Sequence, residues 1–363
     1  IWKAAKTSYC HNQSPCHSRA SENDRVGYFS LMRHTKLFVS LLPWLLPMAT
    51  PVATAQPAST SPTPPYPSGP IRIVVPFPPG GGTDIFARAL AQKLNEAWQV
   101  PVIIDNRGGA NGTIGSAYVA KSPPDGQTLL VMPSGFAVNP SIYPKLPFDT
   151  VKDFTPVSLL AEGPLVLSLH PSFPPRSVKE FTAFLKAGPG EINYGSSGNG
   201  SPPHLAAELF KLLTRVRMNH IPYKGAGPAA VDFFAGQIPV YFMNALQVTQ
   251  YVRTGKVRAL GVTTGKRFPP LPEVPTIAEA GVPGYALSNW YGILAPAATP
   301  RASIAKLHTE IARILNLPDI KERLTNQGAI LVGNTPEEFA AFLRVEISTA
   351  AKIVKAAGMT AMN

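Results

Sequence analysis

Apolar positions change their period repeatedly between residues 71 and 356. Ile71-Arg-Ile-Val-Val75 is a short β-branched run, and Ile85-Phe-Ala-Arg-Ala-Leu-Ala-Gln-Lys-Leu94 places its apolar residues three and four apart, so the pair reads as a strand and a helix over 84–98. The alternation continues with a strand at 100–104, a helix at 112–121 and a strand at 128–132, followed by a proline-punctuated connection. An apolar strand at 165–169 opens a second series: helices at 177–187, 203–213, 226–235 and 245–254, with strands at 192–194, 216–221, 238–243 and 259–263 between and after them. A last apolar run at 288–294 precedes two polar-faced helices, 301–315 and 335–356. Alternation of this kind predicts an α/β fold with mainly parallel sheets flanked by helices. Because the series starts afresh, two domains are expected: 71–165 with 290–363, and 166–289 inserted between two parallel hinge crossings. A ligand cleft would lie between them.

Composition changes this picture mainly at the N-terminus. Residues 1–31 are polar, without strand or helix period, and read as an upstream extension foreign to the fold. From 32 to 55 the chain has the form of a cleavable export signal: Arg33, His34 and Lys36, an apolar stretch from Leu37 to Ala49, then Ala53-Thr54-Ala55. Cleavage is expected after Ala55, with the product in the periplasm. The apolar stretch is broken by Pro43 and Pro47 and falls short of the ~20 residues of a membrane span. Residues 56–70, rich in Pro, Ser and Thr, read as an extended tether. Both cysteines, Cys10 and Cys16, precede the signal, so the mature chain has neither a disulfide framework nor a thiolate site.

The formal charge of +12 includes six cations and two acids before Gln56, a net of +4 that leaves +8. No Lys/Arg cluster, aromatic-basic interleaving or zinc-finger spacing accompanies that charge, so nucleic acid is not the expected partner. A mild positive field that attracts anionic solutes is the plainer reading.

The candidate chemistry lies in two loops, Pro76-Phe-Pro-Pro-Gly-Gly-Gly-Thr-Asp84 and Tyr194-Gly-Ser-Ser-Gly-Asn-Gly-Ser-Pro-Pro-His204, each expected to open a helix. Glycine backbone leaves N–H groups free to face a ligand, and a helix N-terminus adds roughly half a positive charge. That combination binds anions. The first loop does not fit a nucleotide: no Lys follows Gly80, Gly81 or Gly82, and G-x-G-x-x-G is absent from it. Two separated helix N-termini suit a molecule with two acidic ends, such as a dicarboxylate; one of C4 to C6 is the expectation, with mono- and tricarboxylates, aromatic acids and neutral amides open.

Further segments follow in order: Asp105-Asn-Arg-Gly-Gly-Ala-Asn-Gly112, Pro123-Pro-Asp-Gly126, Pro222-Tyr-Lys-Gly225, Gly255-Lys-Val-Arg-Ala-Leu260, Pro272-Glu-Val-Pro-Thr-Ile-Ala-Glu-Ala-Gly281 and Trp290-Tyr-Gly-Ile-Leu-Ala-Pro296. With the two loops, they make residues 70–360 resemble the Bug family, the TctC-like periplasmic receptors of tripartite tricarboxylate transporters. The resemblance implies a two-domain, periplasmic-binding-protein-like (Venus flytrap) receptor, monomeric and without cofactor or metal. It implies capture of a small di- or tricarboxylate and delivery to membrane permease subunits. Carried over onto this sequence, it places Phe77, Gly81, Gly82, Thr83, Asp84, Ser134 and Asn139 on one side of the site. Ser196, Asn199, Gly200, Ser201, His204, Tyr223 and Gly225 stand on the other, with Asn244 where the family often has an Asp beside an Asn. Loss of that carboxylate disfavours ligands carrying an amino group.

Structural roles compete with several of these. Asp84 could N-cap its helix, His204 could donate to a backbone carbonyl, Tyr223 and Trp290 could be wall or core, and Arg107 could pair with Asp105. Two other functions compete with transport. A membrane sensor could read the closed receptor in place of a permease. An exported hydrolase using a serine of the second loop lacks a G-x-S-x-G elbow and any evident His and Asp partners, and a metal enzyme lacks H-E-x-x-H spacing.

Overall fold

The computed structural model describes residues 66–188 and 192–359; the upstream extension, the export signal and most of the tether lie outside them. In the first lobe, β1 (Ile71–Val75) leads to α1 (Gly82–Trp98), β2 (Val102–Asn106), a 3-10 turn (Ala110–Gly112), α2 (Thr113–Ala120), β3 (Thr128–Pro133), α3 (Gly135–Ile142) and β4 (Phe154–Gly163). The second lobe holds β5 (Leu165–Leu169), α4 (Val178–Lys186), β6 (Asn193–Ser196), α5 (Pro202–Thr214), β7 (Asn219–Pro222), α6 (Ala226–Phe234), β8 (Val240–Asn244), α7 (Ala245–Arg253) and β9 (Arg258–Val262). The chain returns through β10 (Asn289–Pro296) to α8 (Arg301–Leu315), α9 (Pro318–Gln327), β11 (Ile330–Leu331) and α10 (Pro336–Ala356).

Two sheets result, ordered β11-β4-β10-β3-β1-β2 and β7-β6-β8-β5-β9. They are mixed rather than mainly parallel. β1 lies parallel between β2 and β3, but β10 is antiparallel to both β3 and β4. β6 is parallel to β7 and β8, whereas β5 is antiparallel to β8 and β9. The reason is the route between lobes. β4 leaves the first sheet, a single residue, Pro164, precedes β5, and β10 brings the chain back alongside β4 in the opposite direction. The two crossings are therefore antiparallel neighbours, not the parallel pair expected.

Four elements escape the hydrophobic pattern. β4 contains Pro156, which is accommodated where its pairing with β10 shifts register between Ile293 and Leu294. α3 carries Pro140, which hides its helical period. α9 buries only Ile320 and Leu324, too few positions for an amphipathic stripe, and β11 is two residues long.

Each lobe has its own core. Phe86, Leu90 and Leu94 of α1 pack with Ile304, Leu307 and Ile311 of α8 over the first sheet. Phe181, Phe210 and Phe242 meet in the second. Burying a side chain of this size contributes roughly 1.5–3 kcal/mol. α10 starts sharply: Thr335 accepts from the Glu338 N–H, the Glu338 carboxylate accepts from the Thr335 N–H, and Pro336 opens the first turn. At the other end of the fold Tyr66, within the expected tether, is fixed to the first lobe. Its hydroxyl donates to Gly126 O at 2.8 Å, its ring meets Trp98 edge-on, and its carbonyl accepts from Lys306 Nζ.

Among the described residues, no helix is long and apolar enough to cross a membrane.

Candidate functional site

The loop between β1 and α1 is shaped by Asp84. This residue is the third of α1 rather than its N-cap, which is Gly81 in an extended conformation. The carboxylate instead accepts from Gly80 N at 3.1 Å, Arg88 Nε at 2.8 Å and Asn106 Nδ2 at 3.2 Å, and Asn106 Nδ2 also donates to Phe77 O. Burial pushes the Asp84 pKa up, but the hydrogen bonds from Arg88, Gly80 and Asn106 outweigh it and hold the carboxyl below the ordinary range. A permanently charged Asp84 thus pulls the loop around its own helix. The N–H groups of Asp84 and Ile85 bond to Gly81 O, while those of Gly82 and Thr83 find no backbone acceptor among the described residues.

The second loop differs from the sequence expectation in its donors. α5 begins with Pro202 and Pro203, which have no N–H, so its first turn offers far less backbone to an anion than α1 does. Ser201 N bonds to Gly198 O and Leu205 N to Ser201 O. His204 accepts from Gly200 N through Nδ1 at 3.0 Å rather than donating to a carbonyl. Ser201 is fully buried and its Oγ has no partner among the described residues.

Beneath this loop lies a stack of rings. His220 stacks on His204 with centroids 3.9 Å apart and on Tyr194 at 5.0 Å. Glu208 accepts from the Tyr194 hydroxyl at 2.6 Å and from Lys211 at 2.7 Å. Burial, then the nearby Lys211, pushes His204 down to about 4; burial, then His204, pushes His220 down to about 3. Both rings are therefore neutral at pH 7. Ser196 Oγ lies 2.6 Å from His220 Nε2, a serine–histidine contact that the sequence did not reveal. Ser196 is fully buried, its oxygen accepts from Gly198 N, and no carboxylate is hydrogen-bonded to His220 among the described residues, so the pair lacks the orienting third group of a nucleophilic triad there.

Between the lobes is a cavity. Phe77, Pro78, Gly81, Gly82, Thr83, Pro133, Asn289 and Tyr291 line it from the first lobe; Ser197, Pro202, Pro203, Ala226 and Asn244 line it from the second, with Leu165 at the crossing. None of these side chains is charged. The lobes meet on both rims. On one, Gln247 Nε2 donates to Gly80 O at 3.1 Å, and Pro78 leaves no room for a side chain on Gly225. On the other, Ile142 lies over Gly200, and Gly135 faces Pro202.

Of the residues singled out from sequence, Phe77, Gly81, Gly82, Thr83 and Asn244 line this cavity. Asp84, Ser196 and His204 hold the two loops. Asn199 and Gly200 belong to the second loop, Gly200 at the rim. Ser134 donates to Asn289 Oδ1 at 2.8 Å, and Asn139 exchanges hydrogen bonds with Asn111, fixing α3 to the 3-10 turn. The Tyr223 hydroxyl donates to Asp232 at 2.7 Å, Gly225 precedes α6, and Asn244 caps α7 by accepting from Gln247 N. Trp290 is core: its ring meets Phe339 and Phe342, and its Nε1 donates to Glu346. Arg107 pairs with Asp105 at 2.8 Å.

Asn289 and Tyr291 were missed. They share one face of β10 while Trp290 takes the other. A polar residue two places before a tyrosine in an otherwise apolar strand was the available signal.

The model for the tripartite tricarboxylate transporter family receptor matches residues 86–359. Protein BugT of Bordetella pertussis is 39% identical over 309 residues, 85% of this chain and 95% of BugT. An R. palustris protein solved with adipate is 37% identical with a TM-score of 0.79, covering 82% of this chain and 100% of that one. MatC from Rhodopseudomonas palustris, solved with malate, is 34% identical with a TM-score of 0.76, covering 80% and 100%. The two-lobed α/β architecture, the mixed sheets and the sequence agree, and the chain belongs to the tripartite tricarboxylate transporter receptor family of periplasmic solute-binding proteins.

Proposed function

We propose that this protein is a periplasmic receptor that captures a small dicarboxylate of four to six carbons and hands it, without chemistry, to the membrane permease of a tripartite tricarboxylate transporter. Residues 71–165 with 290–363 move as one body and 166–289 as the other. Phe77, Gly81, Gly82, Thr83 and Asn244 contact the ligand, while Asp84, Ser134, Asn139, Ser196, Asn199, Gly200, Ser201, His204, Tyr223 and Gly225 support the walls. The observation that carries this reading is the start of α1, where the N–H groups of Gly82 and Thr83 have no backbone acceptor beside an interlobe cavity. Relatives solved with adipate and malate support a carboxylate as the class.

Thermal-shift screening of residues 56–363 against mono-, di- and tricarboxylates, with amino acids and phosphate as controls, tests the reading. An acid at a hundredfold excess over its Kd stabilises by about 2.7 kcal/mol, a rise in Tm of roughly 5 °C. The expected result is a shift with a dicarboxylate and none with amino acids. A protein that answers only to neutral solutes is not the receptor described here.

A further inference from the structure

We propose that Tyr291 is a ligand-contact residue, donating a hydrogen bond from its hydroxyl to the same carboxylate that meets the N–H groups of Gly82 and Thr83; the inference rests on the carboxylate reading of the cavity.

Four observations lead there. First, Tyr291 lines the cavity with Asn289, two places before it, in a strand whose other residues are apolar. Second, a side chain on Gly82 would collide with the Tyr291 hydroxyl, so that hydroxyl stands over the first residue of α1. The ring is held there by Phe86, one turn further along α1, with centroids 5.0 Å apart. Third, the hydroxyl oxygen already accepts a hydrogen bond. Asn289 Nδ2 donates to it at 3.0 Å, and the other end of the same amide, Oδ1, accepts from Ser134 Oγ at 2.8 Å. With a lone pair of that oxygen engaged, the phenol acts as a donor. Fourth, its proton finds no acceptor among the described residues. Burial raises the Tyr291 pKa, so the proton is present throughout the physiological range.

A carboxylate over α1 would satisfy all three donors at once. It would do so without a cation, consistent with a wall that carries no charged side chain. Ser134 and Asn289 are positioning residues in this scheme. They set the polarity of the phenol and do not touch the ligand through these atoms.

Calorimetry with adipate, malate, succinate, glutarate and citrate tests this on residues 56–363, comparing wild type, Tyr291→Phe and Asn289→Asp. Tyr291→Phe keeps the ring against Phe86 and is expected to weaken the best-bound acid by about 10- to 100-fold, the range for a hydrogen bond to a charged group, with Tm in the absence of ligand nearly unchanged. Asn289→Asp accepts from the phenol, which turns the proton away from the cavity, and also sets an anion beside the ligand, so it is expected to weaken the same acid at least as much and serves as a supporting comparison only. The acid's primary amide, which brings no charge, should lose less in both variants. Wild-type affinity for an acid, with Tyr291→Phe binding it within twofold of wild type, would overturn the role of Tyr291 and leave the receptor reading intact. A wild-type protein that binds none of the five acids would overturn both. If Tyr291→Phe does not fold, Tyr291→3-fluorotyrosine, a stronger donor of nearly the same shape, decides in its place: the best-bound acid should bind more tightly, and unchanged affinity would overturn the role of Tyr291.

Discussion

Ile142 of the first lobe occupies the space that a β-carbon on Gly200 of the second would need, and Gly200 adopts φ +74°. The contact joins two lobes at one rim of the cavity, at a backbone conformation that L side chains rarely adopt. Gly200→Ala is therefore expected to wedge that rim and strain the loop together. Calorimetry should show at least tenfold weaker ligand binding. The circular dichroism of the free protein should change little, since the strain falls on one loop and the end of the Ile142 side chain.

The opposite rim has a milder tie, the hydrogen bond from Gln247 Nε2 to Gly80 O. Gln247 also anchors Asn244, so Gln247→Ala removes a contact between lobes and a helix-cap partner. A partly exposed hydrogen bond of this kind contributes about 0.5–1.5 kcal/mol. Stopped-flow release of ligand should quicken by roughly two- to tenfold, with the association rate little altered.

The stacked His204 and His220 rings make stability depend on pH with a definite sign. Their folded pKa values, about 4 and about 3, lie below the value of 6.5 for a free histidine. The unfolded chain thus binds more protons as pH falls below 6.5, and the rings' contribution, complete above that pH, is lost as pH drops toward 4 and then 3. Glu208 and Lys211, the charged groups beside the stack, are already paired with each other. Urea midpoints at pH 7 and pH 4.5 should fall less for His220→Phe, which keeps a ring in the stack but removes a titrating nitrogen, than for wild type.

Ligand affinity should respond weakly to salt. Screening acts on charge pairs, and the cavity wall has no charged side chain to pair with a carboxylate. Between 20 and 500 mM NaCl the Kd is expected to move by less than about threefold. A much steeper dependence would mean that a cationic side chain reaches the ligand.

Tyr241 is fully buried and its hydroxyl has no partner among the described residues. Burial, with the nearby Tyr291 adding to it, raises its pKa and keeps it protonated. Tyr241→Phe removes an unsatisfied group and should leave the free protein as stable as wild type or up to about 1 kcal/mol more stable in urea unfolding.

What the sequence disclosed follows from the range of the interactions involved. α1, α5, α8 and α10 were legible because their apolar stripes are local, and the first loop was legible because Gly80 to Asp84 adjoins the helix it opens. β4 was not, since Pro156 interrupts it and its partners on β10 are some 130 residues away in the chain. Antiparallel pairing at the crossings was hidden for the same reason, as each strand alone reads like its parallel neighbours. Within the site, Gly82 and Thr83 were visible as a motif. Tyr291 was not, because its place over Gly82 depends on β10 returning between β3 and β4. The two prolines that remove donors from α5 were in plain view, yet the loop's glycines and hydroxyls drew the weight.

A wall without ions also bears on unloading. Under the proposed function, a cargo held by neutral dipoles leaves behind no stranded counter-charge when the lobes part, so a membrane partner need supply neither a proton nor a metal to release it. The work of unloading reduces to prying apart two rims, Pro78 and Gln247 on one side and Ile142 and Gly200 on the other.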